Sequence, residues 1–115
     1  MITVSPSETL LIAYNRMRSA DISQIPVIQD KQLLGILDEE DLLLSVTKDQ
    51  ASFSSSVTEI MTNELDILQV DATNDELLAV LSEGKVAIIY EKNNFLGFIT
   101  KVDLINHYRN KLNQN

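Results

Sequence analysis

Leu33-Leu34-Gly35-Ile36-Leu37-Asp38-Glu39-Glu40-Asp41-Leu42 and, 62 positions later, Phe95-Leu96-Gly97-Phe98-Ile99-Thr100-Lys101-Val102-Asp103-Leu104 are two versions of one phrase. Upstream, Pro26-Val27-Ile28 keeps the same step with Ile88-Ile89-Tyr90. A repeat this long means two copies of one supersecondary unit, so the fold is a duplicated module. Duplication also creates two equivalent clefts where the copies face each other. What differs between the copies shows which cleft retains chemistry.

Working outward, composition bounds the rest. A chain of 115 residues is one compact domain or two half-domains sharing a core. It buries roughly 65% of its extended surface, enough for a core without staples. It has no cysteine, which excludes disulfides, thiolate catalysis and zinc-thiolate sites. The net charge of −8 is spread over both copies. That argues against nucleic-acid and anionic-membrane binding, which need a basic face. The apolar runs, about five residues long, fall far short of a membrane span. No signal peptide is visible, so a cytoplasmic location is expected.

Each copy reads as strand, helix, strand, strand, helix. In the first, residues 1–48, Ile2-Thr3-Val4 is a short strand. Ser7 is a helix N-cap, and Leu10, Ala13, Tyr14 and Met17 form an apolar stripe at helical spacing. Ile25–Ile28 and Leu33–Leu37 are strands around the polar turn Gln29-Asp30-Lys31-Gln32. A second helix runs from near Asp38 to about Thr47. The polar, serine-rich stretch 49–56 is the linker between copies.

The second copy, residues 57–115, opens with a helical turn at Val57-Thr58-Glu59-Ile60-Met61-Thr62. Strand Ile67–Val70, helix Asn74–Ser82, strands Lys85–Tyr90 and Phe95–Ile99, and helix Lys101–Leu112 follow. Pairing Ala13 with Ala79 puts the first helices at an offset of 66 against 62 for the strands. The second copy is therefore about four residues shorter just before Lys85. The first copy has no counterpart of Val57–Thr62, so the chain is expected to begin inside its first repeat.

Three patterns carry a family resemblance: Val4-x-Pro6-x-x-Thr9-Leu10, Ile25-Pro26-Val27-Ile28, and Gly97-Phe98-Ile99-Thr100-x-x-Asp103-Leu104. With Val57–Thr62, which looks like that family's opening motif, the chain resembles tandem CBS domains over nearly its whole length. The resemblance implies an α/β (α+β) fold: two β-α-β-β-α half-domains related by pseudo-twofold symmetry. Gly97–Asn106 is, more narrowly, similar to the end of pyridoxal-phosphate-dependent cystathionine β-synthases, which carry such a pair as a C-terminal regulatory module. That likeness places pyridoxal phosphate only in an attached catalytic domain and none in this chain.

At Thr100-x-x-Asp103 a strand ends and a helix begins, with free N–H groups and positive dipole potential. A ligand there meets the Thr100 hydroxyl, and Asp103 can accept from a vicinal diol such as a ribose. The same spacing is also a helix capping box, which by itself accounts for both residues. Gly97 permits close approach to the strand backbone. The resemblance implies that Thr100 and Asp103 hold the ribose and 5′ group of an adenosyl ligand. It implies too that the partner segment Ile22-Ser23-Gln24-Ile25, with Phe98 and Val102 as walls, encloses the adenine.

The other cleft is expected to be degenerate. It would use Asp38 and Asp41, faced by Lys85 and Val86. Asp38 stands where the family has Ser or Thr, and a carboxylate there repels a phosphate. Lys85 partly offsets it. The acidic run is also a helix start favoured by the dipole, and its spacing is not that of an EF-hand loop; no metal site is expected.

No nucleophile–base constellation, P-loop or Rossmann fingerprint is present, so no catalytic residue is assigned. His107, the sole histidine, reads as a surface or interface residue. Arg16 and Arg18 suit the end of the first helix, with phosphate contact as the lesser option. Leu42, Leu43, Leu44 and Val46, and Val102, Leu104, Ile105, Tyr108 and Leu112, exceed what one helical face buries, which points to a homodimer. The expected function is regulatory: sensing S-adenosylmethionine, whose cationic sulfonium suits an acidic surface, or next AMP, on behalf of the catalytic domain of a cystathionine β-synthase. The alternative is a ligand-independent structural or oligomerisation module.

Overall fold

The computed structural model describes residues 1–113. They form two compact units that divide between Glu64 and Leu65.

In the first unit, Thr9 rather than Ser7 caps α1 (Leu10–Ala20), its side chain accepting from the Ile12 N–H. Ser7 instead shares a hydroxyl hydrogen bond with Ser5 in the preceding turn. α1 ends at Asp21, whose left-handed backbone lets two N–H groups reach back to helix carbonyls. β1 (Gln24–Gln29) and β2 (Gln32–Asp38) form an antiparallel hairpin. Its two-residue loop, Asp30-Lys31, has positive φ at both positions, the twist that short hairpins require. Asp38 caps α2 (Glu39–Lys48). The expected strand at Ile2-Thr3-Val4 is reduced to one parallel bridge between Val4 and Val27.

The serine-rich stretch is ordered. Gln50–Ser54 and Val57–Glu59 are short 3₁₀ turns, and Phe53 packs on the core with its ring 6.1 Å from that of Tyr14. Thr62 then bridges antiparallel to Ile36. The core consists of Val4, Leu10, Ala13, Met17, Ile25, Val27, Leu37, Leu42 and Val57, all buried. Val57 to Thr62, the start of the second repeat in sequence, thus completes the first unit in space. Tyr14, read as core, sits at the rim, 36% exposed.

The second unit contains β3 (Asp66–Gln69), α3 (Asn74–Ser82), β4 (Ala87–Glu91), β5 (Asn94–Ile99) and α4 (Lys101–Leu112). β3 pairs parallel with β4, and β4 antiparallel with β5. Ile25↔Leu37, Pro26↔Ile36 and Val27↔Gly35 in the first hairpin match Ala87↔Ile99, Ile88↔Phe98 and Ile89↔Gly97 in the second. Even the register shift recurs, between Val27 and Ile28 and between Ile89 and Tyr90. The expected equivalence of Gly35 and Gly97 therefore holds.

The helix offset needs correction. The N-caps Thr9 and Thr73 are 64 apart, and the same step relates buried Met17 to buried Leu81. Ala79, matched by letter to Ala13, is exposed. Burial, not identity, sets the alignment. The second copy is shorter by two residues, not four: α3 has 9 residues against 11 in α1.

Candidate functional site

The strand-to-helix junction after β5 is built by Thr100. Its backbone is extended, and its side chain accepts from the Asp103 N–H at 3.4 Å. Asp103 answers with one oxygen: Oδ2 accepts from the Thr100 N–H at 2.8 Å and from the Thr100 hydroxyl at 3.0 Å. The capping box is thus fully formed. Among the described residues nothing donates to Oδ1, and Asp103 is exposed at a helix N-terminus. One carboxylate edge holds the turn while the other faces solvent. A vicinal diol donating to that edge would add charge-assisted bonds without dismantling the cap.

Phe98 and Thr100 are half-buried, and Val102 is 63% exposed. Val102 opens a stripe on α4 continued by Ile105, Tyr108 and Leu112, at 65%, 50% and 77% exposure. At 100° per residue these four share an arc of roughly 120°. His107 is exposed too, its ring edge-on to Tyr108 at 5.4 Å.

The equivalent junction in the first unit is chemically different. Asp38 Oδ1 accepts from the Glu40 N–H at 2.7 Å, and Oδ2 from the Gln24 amide at 3.1 Å. Both oxygens are committed, one as helix cap and one to β1. Asp41, the counterpart of Asp103, is exposed, and its side chain makes no hydrogen bond among the described residues. Gln24 and Asp38, assigned from sequence to different clefts, are therefore joined at one end of one unit. Ser23 supports this end through its carbonyl, which accepts from the Glu39 N–H at 2.9 Å. Ile22 and Gln24 are half-buried, Ser23 is exposed, and the Ile25 side chain is wholly in the core.

In the second unit Lys85 pairs with Glu83 at 3.4 Å and Asp66 at 3.7 Å. Those carboxylates, Asp66 foremost, raise its pKa. Val86 beside it is half-buried. Lys85 thus spends its charge on acids of its own unit. No cluster of three metal-ligating side chains occurs among the described residues.

One polar constellation escaped the sequence reading. Arg16 meets Glu8 through two 2.7 Å bonds and also donates to the Thr3 carbonyl at 3.0 Å. The Ser5 N–H donates to the same carboxylate at 2.9 Å. The hydrogen bond from Arg16, then that from Ser5, holds the Glu8 carboxyl below the usual glutamate range. Arg16 lines an open groove with Ile2, Thr3, Asn15 and Ser19, but its guanidinium is occupied. The signal available in sequence was an acid just ahead of the N-cap and an arginine two turns into the helix.

The CBS domain model matches residues 1–48 and 57–110. The chain belongs to the CBS-domain family. Its two matches make it a CBS pair. Inosine-5′-monophosphate dehydrogenase of Methanocaldococcus jannaschii is 28% identical over 109 residues, 91% of this chain but only 21% of that enzyme. The CBS-domain containing protein ATU1752 of Agrobacterium tumefaciens has a crystal structure that matches with a TM-score of 0.86. It is 26% identical, over 94% of this chain and 89% of that one. CBSX2, crystallised in complex with AMP, matches with a TM-score of 0.81 at 19% identity, over 96% of this chain and 88% of that one. None of these three is a cystathionine β-synthase. No helix among the described residues is long and apolar enough to cross a membrane.

Proposed function

We propose that this CBS pair is a regulatory module that senses an adenine nucleotide of the AMP class. The observation that carries the reading is the solvent-facing Oδ1 of Asp103 at the N-terminus of α4. The AMP complex of CBSX2, a fold relative, supports the ligand class. Asp103, positioned by the Thr100 hydroxyl that donates to its other oxygen, accepts from the ribose diol, and the free N–H groups at the α4 N-terminus favour the 5′ phosphate. Phe98 and Val102, beside that junction, belong to the same proposal as walls for the adenine.

Asp38 makes the sites unequal. With both of its oxygens committed and its charge fixed beside the acidic start of α2, it repels a nucleotide phosphate. Binding should therefore be one nucleotide per chain. S-adenosylmethionine, in the service of a cystathionine β-synthase, is a second reading, which would use the same ribose contact and rests on the net charge of −8. The M. jannaschii relative is a dehydrogenase, not a synthase.

The exposed stripe of α4, with Leu43 and Leu44 of α2 at 56% and 61% exposure, supports dimerisation as the accompanying assembly. Calorimetric titration with AMP, ATP and S-adenosylmethionine tests the whole reading. AMP binding at one site per chain is expected. Two equal sites per chain would show that Asp38 does not discriminate, and heat from none of the three would favour a ligand-independent structural module.

A further inference from the structure

We infer that Met61 is a redox-sensitive latch, whose oxidation by a peroxide loosens the strand that completes the first unit. The latch is built on a glycine. Met61 follows the 3₁₀ turn that starts at fully buried Val57, and its own N–H donates to the Val57 carbonyl at 2.9 Å. Its side chain lies on β2 at Gly35, where a Cβ would come within 2.8 Å of Sδ and 3.1 Å of Cγ. Only a residue without a side chain leaves room for the thioether there. Thr62 then fastens the strand. The Ile36 N–H donates to the Thr62 carbonyl and the Thr62 N–H to the Ile36 carbonyl, both at 2.9 Å.

The chain has three methionines and no cysteine, so thioethers are its only sulfur nucleophiles. Met17 is 4% exposed and shielded in the core. Met1 is 72% exposed and lies outside the core, so oxidation there should leave the fold intact. Met61 combines both properties: it is half-buried, within reach of a small oxidant, and it packs on the core.

With hydrogen peroxide as oxidant, a sulfur lone pair attacks one peroxide oxygen and the O–O bond breaks. The departing hydroxide takes the proton left on the transferred oxygen, giving sulfoxide and water. The product is bulkier and polar. Its oxygen needs a donor, and the Ile36 N–H alongside is already engaged by the Thr62 carbonyl. Kept on Gly35, the sulfoxide overpacks the site and buries an unpaired acceptor. Turned to water, it withdraws the side chain from the glycine and from the core. Either way the Ile36–Thr62 pair loses its support. The second unit starts at Leu65, just beyond Thr62, so release of this strand lengthens the tether between the units.

The test is hydrogen peroxide treatment of the full chain. Peptide mass mapping locates each added oxygen, and amide hydrogen exchange at Ile36 and Thr62 reads the strand. Met61 should gain an oxygen well before Met17. Exchange at both amides should quicken roughly tenfold and recover after treatment with methionine sulfoxide reductase. Met61→Leu, which keeps the volume without the sulfur, should not respond to peroxide. A Met61 as resistant as Met17 would overturn the inference. So would oxidation of Met61 without faster exchange, equal quickening in Met61→Leu, or no recovery with the reductase. The reductase arm reads the parent alone and decides the matter even where Met61→Leu folds poorly.

Discussion

Gly35→Ala perturbs the junction that ties Met61 and Thr62 to the first unit. A Cβ there would lie 2.6 Å from the Thr62 carbonyl oxygen, 2.8 Å from the Met61 sulfur and 3.1 Å from its Cγ. Met61 can turn aside, but a backbone oxygen cannot, so the strand must lift from β2. Lifting it strains the two 2.9 Å bonds between Ile36 and Thr62, each worth about 0.5–1.5 kcal/mol. Overpacking adds about 1–3 kcal/mol. Against this, alanine restricts the unfolded chain and returns about 0.4–1 kcal/mol. The net expectation is destabilisation by about 2–4 kcal/mol, read as a lower urea midpoint at unchanged slope. Adding Met61→Ala removes the sulfur clash but not the carbonyl clash. The double variant should therefore stay well below the parent while showing less than additive loss. A Gly35→Ala chain within 0.5 kcal/mol of the parent would refute the reasoning, because it would mean that the Thr62 strand yields without cost.

Acid should weaken the first unit through Glu8. Its carboxyl is held below its ordinary value of 4.5, so its stabilising contribution is complete above that value and is lost as pH falls through the lower folded pKa. Glu8→Gln should flatten this part of the stability–pH curve below about pH 4.5, and an unchanged curve would count against the clamp. Dimerisation should depend on the stripe of α4. Ile105→Glu places a charge at a 65% exposed position in both partners, and with about 1.5–3 kcal/mol lost per buried side chain it should weaken association at least tenfold by analytical ultracentrifugation. A parent that is monomeric at high micromolar concentration would remove the premise.

The hairpins, α3 and α4 were legible in the sequence because the repeat supplied two independent readings of each strand, and the glycines fixed the register. α1 was displaced at its start because Ser7 and Thr9 are both good caps, and only the turn at Ser5–Glu8 decides between them. Serine-rich composition marks Asp49–Ser56 as polar but does not reveal that Phe53 in its middle pins the stretch to the core. Thr100 and Asp103 were legible as a pair, since capping and diol binding require the same spacing. Which carboxylate oxygen stays free, and that Gln24 consumes the second oxygen of Asp38, depend on side-chain geometry that no spacing encodes. The Glu8–Arg16 clamp was missed because each residue has an ordinary helical explanation when taken alone.

Nucleotide sensing at Asp103 is tested most directly by comparing AMP-dependent melting of the parent with that of Asp103→Ala. Losing the cap partner costs the fold only about 0.5–2 kcal/mol, against a total near 5–15 kcal/mol, so the variant should remain folded. Losing charge-assisted bonds to the ribose, about 1.5–3 kcal/mol each, should weaken AMP roughly ten- to a hundredfold. AMP at millimolar concentration should therefore raise the melting temperature of the parent by mass action, and that of Asp103→Ala far less. A destabilised variant, with no AMP-dependent shift in either protein, would show that Thr100 and Asp103 serve the helix alone and would contradict the account.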